Sequence, residues 1–596
     1  EGDMSMNRPV SDPQAWCRHG GTLGALLERQ ATHCADLTYV QLLADDGTER
    51  RITYGDLAVG ARRVAAAFQG MGLAPGFRVL IVLPTGVEFI DTFYGTVLAG
   101  GVAIPAYPPL RSKGLTDYQE RLARLIKVAK PDVVVTFSKV RLVVEAATFA
   151  ARVPARVVEP SALTSREAFR PVEVDPEAVA MVQFSSGSTG DPRGVMLSHR
   201  NLLANVAAVL DVLQPDETDV NCSWLPLYHD MGLIGGLFMP LFCGRPVVLL
   251  SPQGFLLDPK RWLWAIHKHR ATISTAPNFA YQLIAGRVDE RELVGLDLSC
   301  WRLALCGAEP VMPETLAAFA QKLAPHGFKE AGLLPVYGLA EVALGALFPV
   351  PGVTFRRDQV DPAALEREGQ AVPGDRVLSS VGKPLPGFDV RIAGADGAAL
   401  AERRVGEIQL RGPSVMVGYL DDPAATARAM VDGWLRTGDL GYLADGELYV
   451  VGRSKDLILK GGRNYAPQDL ENAAERVPGV RRGCVAAFGV PDPVTGTEAV
   501  VVAAETREPA AGHAALRGAI AEQVLAAVGL RPDHITLLPP GAVPKTSSGK
   551  LQRSRARERW LAGSLVAPQE PGMGDMVRVV GRALAQRMVG TRRQAP

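Results

Sequence analysis

The chain has 596 residues, more than one hydrophobic core usually organises, so several domains or subdomains are expected. Hydrophobic residues make up 47% and charged residues 21%, a composition typical of a globular chain and not of a disordered one. The 64 Lys and Arg nearly balance the 63 Asp and Glu, which gives a formal net charge of +1. This balance argues against nucleic-acid binding by bulk electrostatics.

The cysteines and the terminal segments indicate the cellular compartment. Seven cysteines are scattered from Cys17 to Cys484 without a CxxC pair, which gives neither a disulfide framework nor zinc-finger spacing. The longest apolar stretch, residues 231–244, is shorter than the ~18 to 20 residues that a membrane span needs. Residues 1–6 lack the basic start and apolar block of a secretion signal. We therefore expect a cytoplasmic protein with reduced thiols and no integral membrane segment.

Helical and strand-like patterns alternate through the first part of the chain. A helical pattern over 56–71 precedes the apolar strand-like run 78–83, and a second helix is predicted over 86–99. Similar short apolar runs occur at 132–137, 246–250 and 303–306. Short apolar strands separated by helices indicate α/β architecture with buried, largely parallel sheets.

The pattern changes after Val381. Strand-like segments at 389–392, 406–410 and 446–451, separated by turn residues, predict a small β subdomain. Beyond Arg453 come new helical patterns (467–477 and 514–528) and new strands (484–489 and 499–505). We therefore expect a large N-terminal domain, residues 1–452, of two α/β sheet subdomains plus the β subdomain. A small α+β C-terminal domain over 453–566 follows, then a tail or linker over 567–596 with one weak helix at 576–588.

A loop rich in serine and glycine, residues 184–194, directly follows the apolar run 178–182. Such a loop exposes backbone N–H groups and hydroxyls to an anion, which is how proteins cradle polyphosphates. It lacks the Gly-Lys-Ser/Thr ending of a Walker A loop, and taken alone it could equally be a flexible linker. Its candidate phosphate-binding residues are Ser185, Ser186, Gly187, Ser188, Thr189 and Gly190.

This loop resembles the phosphate-binding loop of the adenylate-forming superfamily, which comprises acyl-CoA synthetases, amino-acid adenylation domains and luciferases. Six later segments resemble the other motifs of that family and follow in the family's order. Seven motifs in order are far more specific than any one of them. The six are Tyr-His-Asp-Met-Gly (228–232), Cys-Gly-Ala-Glu-Pro (306–310), Tyr-Gly-Leu-Ala-Glu (337–341), Trp-Leu-Arg-Thr-Gly-Asp (434–439), Gly-Arg-Ser-Lys-Asp (452–456) and Pro-Lys-Thr-Ser-Ser-Gly-Lys (544–550).

The resemblance implies that a carboxylate reacts with ATP to give acyl-AMP and pyrophosphate, with catalysis by positioning and electrostatic clamping. It implies that Lys550 reaches the α-phosphate and the substrate carboxylate, and that His229 is a second catalytic residue. Glu341 would bind Mg²⁺ through its carboxylate. Asp439 would accept hydrogen bonds from the ribose hydroxyls, with Arg453 assisting.

The same resemblance implies a nucleotide-binding surface and a hinge. Tyr337 would flank the adenine, and Lys455 lies at the position about which the C-terminal domain of the family rotates after adenylation. One departure is Arg193, where many members carry lysine, and the charge is kept. The remaining implied nucleotide-binding residues are Gly307, Ala308, Glu309, Gly338, Leu339 and Ala340.

Within the superfamily, three features resemble the fatty acyl-AMP ligases. They are the Pro-Asn-Phe-Ala-Tyr segment at 277–281, the Gly-Arg-Asn and Pro-Gln-Asp pattern at 462–469, and an insertion at about 354–378 with a helix signal over 361–368. The resemblance assigns Asn278, Phe279 and Tyr281 to an acyl pocket.

For this branch the resemblance implies that a medium- to long-chain fatty acid is activated and that free CoA is a poor acceptor. The acyl group would pass to the phosphopantetheine of an acyl carrier protein, for lipid, polyketide or lipopeptide biosynthesis. No carrier attachment sequence is present in this chain, so the carrier would be a separate chain or one removed after the 576–588 segment.

Two alternatives remain open. A medium- or long-chain acyl-CoA synthetase would use free CoA as its acceptor. An inactive adenylate-binding protein would have no need to keep Lys550, Glu341, Asp439 and Arg453, so their presence argues against it. The apolar segments 224–250 and 273–285 suit an alkyl tail and disfavour an amino acid, while the acyl chain length stays undetermined.

Overall fold

A computed structural model describes residues 21–109, 115–185, 192–460, 463–492, 497–546 and 549–565. Its two largest sheets are mainly parallel and carry helices on both faces, so the fold belongs to the α/β class that the sequence predicts. A smaller antiparallel sheet and a C-terminal α+β part follow in chain order.

The two large sheets are built from non-consecutive strands, as helical crossovers require. In the first sheet all neighbouring strands are parallel except Thr38–Leu43 and Glu49–Thr53. In the second sheet all neighbouring strands are parallel except the two pairs that involve Arg193–Ser198. The spatial order of the first is Leu333–Pro335, Leu303–Cys306, Ile273–Ala276, Asn221–Ser223, Val247–Leu250, Thr38–Leu43, Glu49–Thr53. That of the second is Gly418–Tyr419, Arg193–Ser198, Val179–Ser185, Val102–Pro105, Arg78–Val82, Val133–Thr136, Arg156–Val158.

Alternating side chains divide each sheet between two cores. Val79 and Ile81 face a central core that also receives Leu303 and Leu305 of the first sheet. The intervening residues of the same strands face outward into separate outer cores, because successive side chains of a strand point to opposite faces. The helices on these faces include Leu23–His33, Tyr54–Gly70, Val87–Leu98, Leu115–Ala129, Arg141–Ala151, His199–Leu213, Lys260–His269, Asn278–Arg287 and Pro313–Leu323.

The β subdomain is antiparallel, and the predicted insertion packs on it. Its strands are Asp389–Ala393, Gly406–Arg411, Met430–Val431, Trp434–Ala444 and Glu447–Arg453. In the insertion, strands Arg357–Val360 and Arg376–Ser379 pair with each other and flank helix Pro362–Arg367. Val360 and Leu365 are buried against the stacked rings of Tyr442 and Tyr449. The insertion is therefore fixed to the β subdomain by a small core of its own.

The residues after Arg453 form a sheet with separate hydrophobic clusters. Strands Val480–Asp492, Thr497–Thr506 and His534–Leu538 pair in that order, next to the hairpin Ile458–Lys460 and Arg463–Tyr465. Helices Pro467–Glu475, His513–Val528 and Arg553–Leu561 cover the sheet. Further short helices elsewhere in the chain are Asp230–Leu233, Met239–Cys243, Pro252–Leu257 and Pro423–Ala429.

Element boundaries differ from the sequence predictions where capping decides them. The helix predicted over 56–71 is Tyr54–Gly70, because the Thr53 side chain accepts the Asp56 N–H and Asp56 caps Thr53 in return. In the insertion, the Asp361 carboxylate accepts the Ala364 N–H and starts the helix that the sequence signal indicates. The predicted helix at 576–588 lies outside the described residues.

Two further observations concern the expected compartment. No helix within the described ranges has the length and apolar character needed to span a membrane. Six of the seven cysteines lie in the described part of the chain, and all six are free thiols.

We predict that Asp358 anchors the insertion. Its carboxylate accepts hydrogen bonds from the Tyr442 hydroxyl at 2.7 Å and from Arg403 Nη2 at 2.9 Å. Asp358→Ala would leave both donors unpaired, so we expect a loss of about 1–3 kcal/mol in the free energy of unfolding. Urea denaturation measures this loss.

The matched control for this prediction is Asp389→Ala, since Asp389 pairs with Arg411 on the open surface, where both side chains are more than half exposed. It should change the free energy of unfolding by less than about 0.5 kcal/mol. Equal losses in the two variants would contradict the anchoring role.

Candidate functional site

Parallel strands of the first sheet bring their carboxyl ends to one edge. The motif residues follow those ends: Asn278 comes after Ile273–Ala276, Gly307 after Leu303–Cys306, and Tyr337 after Leu333–Pro335. Cys306 lies opposite both Ala276 and Pro335 in the register, so the three loops are neighbours. This edge of an α/β sheet is where such folds usually bind ligands.

A cavity of about 1980 Å³ opens at this edge and is lined by residues from both sides of the predicted domain boundary between residues 452 and 453. Most of the site residues predicted from the sequence line it, although they are far apart along the chain. They are His229, Ala308, Glu309, Tyr337, Gly338, Leu339, Ala340, Glu341, Asp439, Arg453, Lys455 and Lys550.

Asp439 is held from two directions. The Tyr337 hydroxyl donates to one carboxylate oxygen at 2.7 Å, and Arg453 Nε donates to the other at 2.8 Å. The Arg453 contact follows from strand register, because Asp439 lies directly opposite Arg453 in the antiparallel pair. Each carboxylate oxygen has a second lone pair, so Asp439 can still accept hydrogen bonds from a ligand.

The turns around Gly307 and Gly338 need glycine for space. A Cβ on Gly338 would lie 1.8 Å from the Leu344 carbonyl oxygen, and one on Gly307 would lie 2.9 Å from the Val336 carbonyl oxygen. Ala308 has a φ of 68°, a conformation that costs a non-glycine residue of order 1 kcal/mol or more and that clusters at ligand sites. Gly307 itself does not line the cavity but allows the two turns to approach each other.

Glu341 lies beside Tyr419, whose hydroxyl donates to Glu341 Oε1 at 2.9 Å. Burial raises the pKa of Glu341 above its ordinary value, while the Tyr419 hydrogen bond acts in the opposite direction. The Arg193 guanidinium lies 5.7 Å from the centre of the Tyr419 ring, within the range of a cation–π contact. An additional cation next to the Glu341 carboxylate would therefore be electrostatically favoured.

His229, Asp230 and Lys550 form a charged group on another wall of the cavity. His229 Nδ1 lies 2.5 Å from Asp230 Oδ1. Burial by itself raises the pKa of Asp230, but His229 and Lys550 together lower it to about 2. Burial lowers the pKa of Lys550 below its ordinary value, while Asp230 and Glu309 act in the opposite direction. The Lys550 ammonium group is thus close to two carboxylates that can hold its charge.

The three predicted acyl-pocket residues occupy different positions. Asn278 Oδ1 accepts the Met312 N–H at 3.0 Å, and the Phe279 N–H donates to Glu309 Oε1 at 2.7 Å, so both support the 307–312 turn. The Phe279 ring packs against Gly549, where an added Cβ would lie 2.8 Å from it. None of the three lines the main cavity.

Of these three residues, Tyr281 differs most from its predicted position in an acyl pocket. It is fully buried among Trp262 and Phe319, and its hydroxyl donates to the Leu305 carbonyl at 2.8 Å. The structure therefore places Tyr281 in the outer core of the first sheet and not on the cavity. The sequence pattern did not reveal this, because helix Asn278–Arg287 has no distinct apolar face that would show which way Tyr281 points.

The phosphate-loop residues Ser186, Gly187, Ser188, Thr189 and Gly190 lie outside the described residues. Ser185 ends strand Val179–Ser185, and Arg193 begins the antiparallel partner strand. Pro192 and Arg193 line the cavity, as does Phe184 on the other side of the loop. The loop thus starts and ends at the cavity.

Sequence reasoning missed several residues of the cavity wall. Tyr419 supports Glu341, and Gln183 donates through Nε2 to the Tyr228 carbonyl at 3.0 Å just before His229. Arg376 of the insertion lies 3.0 Å from Asp469 of helix Pro467–Glu475, with Glu366 nearby. These contacts join residues far apart in sequence, and no local pattern marks them.

The family model described as AMP-binding enzyme matches residues 27–420, more than half of the chain. A relative in Caulobacter vibrioides that carries the provisional name acyl-CoA synthetase is 37% identical over 524 residues, which are 85% of this chain and 89% of the relative. The medium-chain fatty acid–acyl carrier protein ligase JamA of Moorena producens is 35% identical over 543 residues, covering 86% of this chain and 90% of JamA.

A solved structure from a study of fatty acyl-adenylate ligases of E. coli and L. pneumophila is also similar. The TM-score is 0.86 at 34% sequence identity, and the match covers 91% of this chain and 98% of the other.

We predict a pH effect on stability from Glu366. Burial and the neighbouring Asp469 raise the pKa of Glu366 to about 7, from an ordinary value of 4.5. A carboxyl group with a higher pKa in the folded state holds its proton more tightly when folded. The free energy of unfolding should therefore fall as the pH rises between about 4.5 and 7, and stay lower above that range.

Glu366→Gln should remove this part of the pH dependence, measured as the difference in melting temperature between about pH 5 and about pH 8. Glu368→Gln, at an exposed neighbouring position, is the control and should retain the wild-type difference. An unchanged difference in Glu366→Gln would contradict the prediction.

Proposed function

This chain belongs to the AMP-binding enzyme family, and from that membership we propose that it activates a medium- to long-chain fatty acid with ATP and passes it to a separate acyl carrier protein. The family match and the solved structure confirm the predicted resemblance, and the chain is an adenylate-forming ligase. The proposal concerns the acid, the acceptor and the residues that act on them. Its main support is the convergence on one cavity of motif residues from His229 to Lys550.

The proposed reaction has two steps. In the first, a carboxylate oxygen bonds to the α-phosphorus of ATP, the bond from that phosphorus to the oxygen bridging to the β-phosphate breaks, and pyrophosphate leaves. In the second, the phosphopantetheine thiol loses its proton to water and its sulfur bonds to the acyl carbon. The bond from that carbon to the phosphate oxygen of AMP breaks, and AMP leaves. Neither step needs a redox partner. Catalysis of the first is a matter of holding the reactants in line and stabilising negative charge.

The geometry supports the following proposed roles. Lys550 lines the cavity and interacts with Asp230, which is paired with His229, and its charge would reach the reacting carboxylate and the α-phosphate. Asp439, fixed by Tyr337 and Arg453, would accept hydrogen bonds from the ribose hydroxyls. The residues 307–309 and 337–340 would form the adenine-binding surface, and the phosphate loop would hold the pyrophosphate.

The Glu341 carboxylate is a suitable ligand for Mg²⁺. The Tyr419 hydroxyl donates to its Oε1, and a cation bound to the carboxylate would relieve the electrostatic effect of burial. Within the described ranges no group of three His, Cys, Asp or Glu side chains is placed to hold a metal. Mg²⁺ commonly uses one or two carboxylates together with phosphate oxygens and water, so a single carboxylate is adequate.

A fatty acid suits the surroundings of Lys550 better than an amino acid does. The Asp230 and Glu309 carboxylates already interact with Lys550, and Asp230 also pairs with His229. The wall behind Phe279 is apolar, with Trp224 stacked on Phe255 at 3.8 Å. JamA acts on a medium-chain fatty acid by its name, and the similar solved structure comes from fatty acyl-adenylate ligases.

The insertion supports a carrier protein as acceptor in preference to free CoA. It is fixed to the β subdomain by Asp358 and reaches helix Pro467–Glu475 through the Arg376–Asp469 ion pair. Both ends of this connection are largely buried, with 16% and 22% of the side chains exposed. We propose that this contact restrains the rotation about Lys455 that thioester formation with free CoA would need. The name of JamA includes an acyl carrier protein as acceptor.

The deciding experiment is a product analysis by mass spectrometry. The protein is incubated with ATP, Mg²⁺ and a mixture of medium- and long-chain fatty acids, with and without free CoA. We expect acyl-AMP that persists when CoA is present. Ready conversion to acyl-CoA would instead identify an acyl-CoA synthetase, the activity named for the Caulobacter relative.

Lys550→Ala is the control for catalysis in this experiment. Removing one charge-stabilising group commonly lowers a rate by ~10²–10³-fold, and we expect a loss of that size in acyl-AMP formation. An inactive adenylate-binding protein would form no acyl-AMP in either version.

The role of the insertion can be tested at a single residue. Arg376→Ala removes the ion pair to Asp469 and keeps the insertion core of Val360 and Leu365. If the contact restrains the C-terminal part, we expect faster acyl-CoA formation with unchanged acyl-AMP formation. Stopped assays with and without CoA measure the two rates separately.

Arg411→Ala is the matched control, because it removes an arginine from an exposed ion pair of the β subdomain. It should leave both rates unchanged. Rejection of CoA by a folded, adenylating Arg376→Ala protein would show that this ion pair is not the restraint.

A further inference from the structure

Lys550, the lysine assigned to the α-phosphate, lies on one of two segments, 544–546 and 550–552, that pair with each other and are called the Lys550 hairpin below. The Lys550 N–H donates to Thr546 Oγ1 at 2.9 Å, and the Thr546 N–H donates to the Lys550 carbonyl at 2.7 Å. Lys545 and Leu551 form an isolated bridge, and the Gln552 N–H donates to the Pro544 carbonyl at 2.9 Å. The backbone around Lys550 is therefore fixed within the hairpin, and its orientation depends on what holds the hairpin as a whole.

Arg553 follows directly after this hairpin and holds it to two other segments. Its Nε and Nη2 donate to the two oxygens of Glu471, each at 2.7 Å. Its Nη1 donates to Asp456 at 3.2 Å. The pairing with Glu471 is bidentate, the geometry that gives a guanidinium–carboxylate pair both strength and a fixed direction.

The partner of Arg553 is itself rigidly placed. Glu471 is 4% exposed and accepts the Ala487 N–H at 2.9 Å, which ties helix Pro467–Glu475 to strand Val480–Asp492. Burial by itself lowers the pKa of Arg553, but Glu471 and Asp456 raise it above its ordinary value. The pair is thus a charged contact inside the C-terminal part.

Arg553 lines the cavity, so a direct contact with substrate must be considered. Its Nε and Nη2 are engaged by Glu471, and its Nη1 by Asp456. All three guanidinium nitrogens therefore have carboxylate partners. These contacts favour a structural role for Arg553 over direct binding of a substrate phosphate or carboxylate.

We propose that Arg553 is a positioning residue, which acts through Lys550 by fixing the lysine hairpin to Glu471 and to Asp456. The proposal rests on the role assigned to Lys550 in the proposed function. Asp456 directly follows Lys455. The contact between Arg553 and Asp456 therefore also sets the direction of the Lys550 hairpin relative to the segment about which the C-terminal part would turn.

The test is a double-mutant cycle on acyl-AMP formation, measured as pyrophosphate release with a fatty acid, ATP and Mg²⁺. Arg553→Lys keeps the positive charge at the cavity but cannot reproduce the bidentate contact. A misplacement of about 1 Å can lower a rate by ~10²-fold, and we expect a fall of that size in kcat with little change in the KM for ATP. In a Lys550→Ala background, Arg553→Lys should change the remaining rate by less than about 3-fold.

Arg302→Lys is the matched control for lost stability. Arg302 pairs through Nε at 2.9 Å and Nη2 at 2.5 Å with Asp219, a buried carboxylate remote from the cavity lining. It should lower the melting temperature without lowering kcat. If Arg553→Lys does not fold, Asp456→Asn breaks only the weaker contact and should lower kcat in the same Lys550-dependent way.

Three results would overturn the proposal. The first is an unchanged kcat in folded Arg553→Lys. The second is a loss of similar size with and without Lys550, which would mean that Arg553 acts by another route while the proposed function stands. The third is full activity of Lys550→Ala, which would remove the lysine assignment of the proposed function as well.

Discussion

The site depends on one constraint, that parallel strands deliver their carboxyl ends to the same edge of a sheet. Strands 273–276, 303–306 and 333–335 are short and largely buried, and a motif residue follows each within two positions. Because neighbouring strands lie about 4.8 Å apart, loops separated by tens of residues in sequence become adjacent. The antiparallel strand pair that holds Asp439 opposite Arg453 adds the second wall, and the hairpin carrying Lys550 adds the third.

The sequence was sufficient for the α/β class, and most of the site residues predicted from it line the cavity. Apolar runs such as 78–83 and 303–306 predict buried strands, and the ordered motifs identify Asp439, Glu341 and Lys550 without any contact information. It was insufficient where contacts are made at long range. Tyr281 and Phe279 lie on one helix, yet only packing decides that one ring enters the core and the other meets Gly549. Arg553 and Glu471 are 82 positions apart, and each looks like an ordinary surface charge in isolation.

Several carboxylates in or next to the cavity are paired with another side chain. Asp439 is paired with Arg453, Asp230 with His229, and Glu471 with Arg553, so each of these carboxylates has a cationic or hydrogen-bonding partner. The side chain hydrogen-bonded to Glu341 is the neutral Tyr419 hydroxyl, and burial raises the pKa of Glu341. In the proposed function, a Mg²⁺ ion that arrives with the substrate would pair with this carboxylate. Where such a pair is buried, as Glu471 and Arg553 are, desolvation offsets much of the attraction between the two charges.

Lys455 lies between two fastened neighbours. On one side Arg453 is held by Asp439 and the Ser454 N–H donates to the Gly438 carbonyl; on the other side Asp456 is held by Arg553. If the C-terminal part turns about Lys455, as proposed, the two backbone dihedral angles of that residue would be the main source of freedom at this point. The Lys550 hairpin lies far along the chain from Lys455, so a small change in those angles would displace the Lys550 ammonium group by a larger distance.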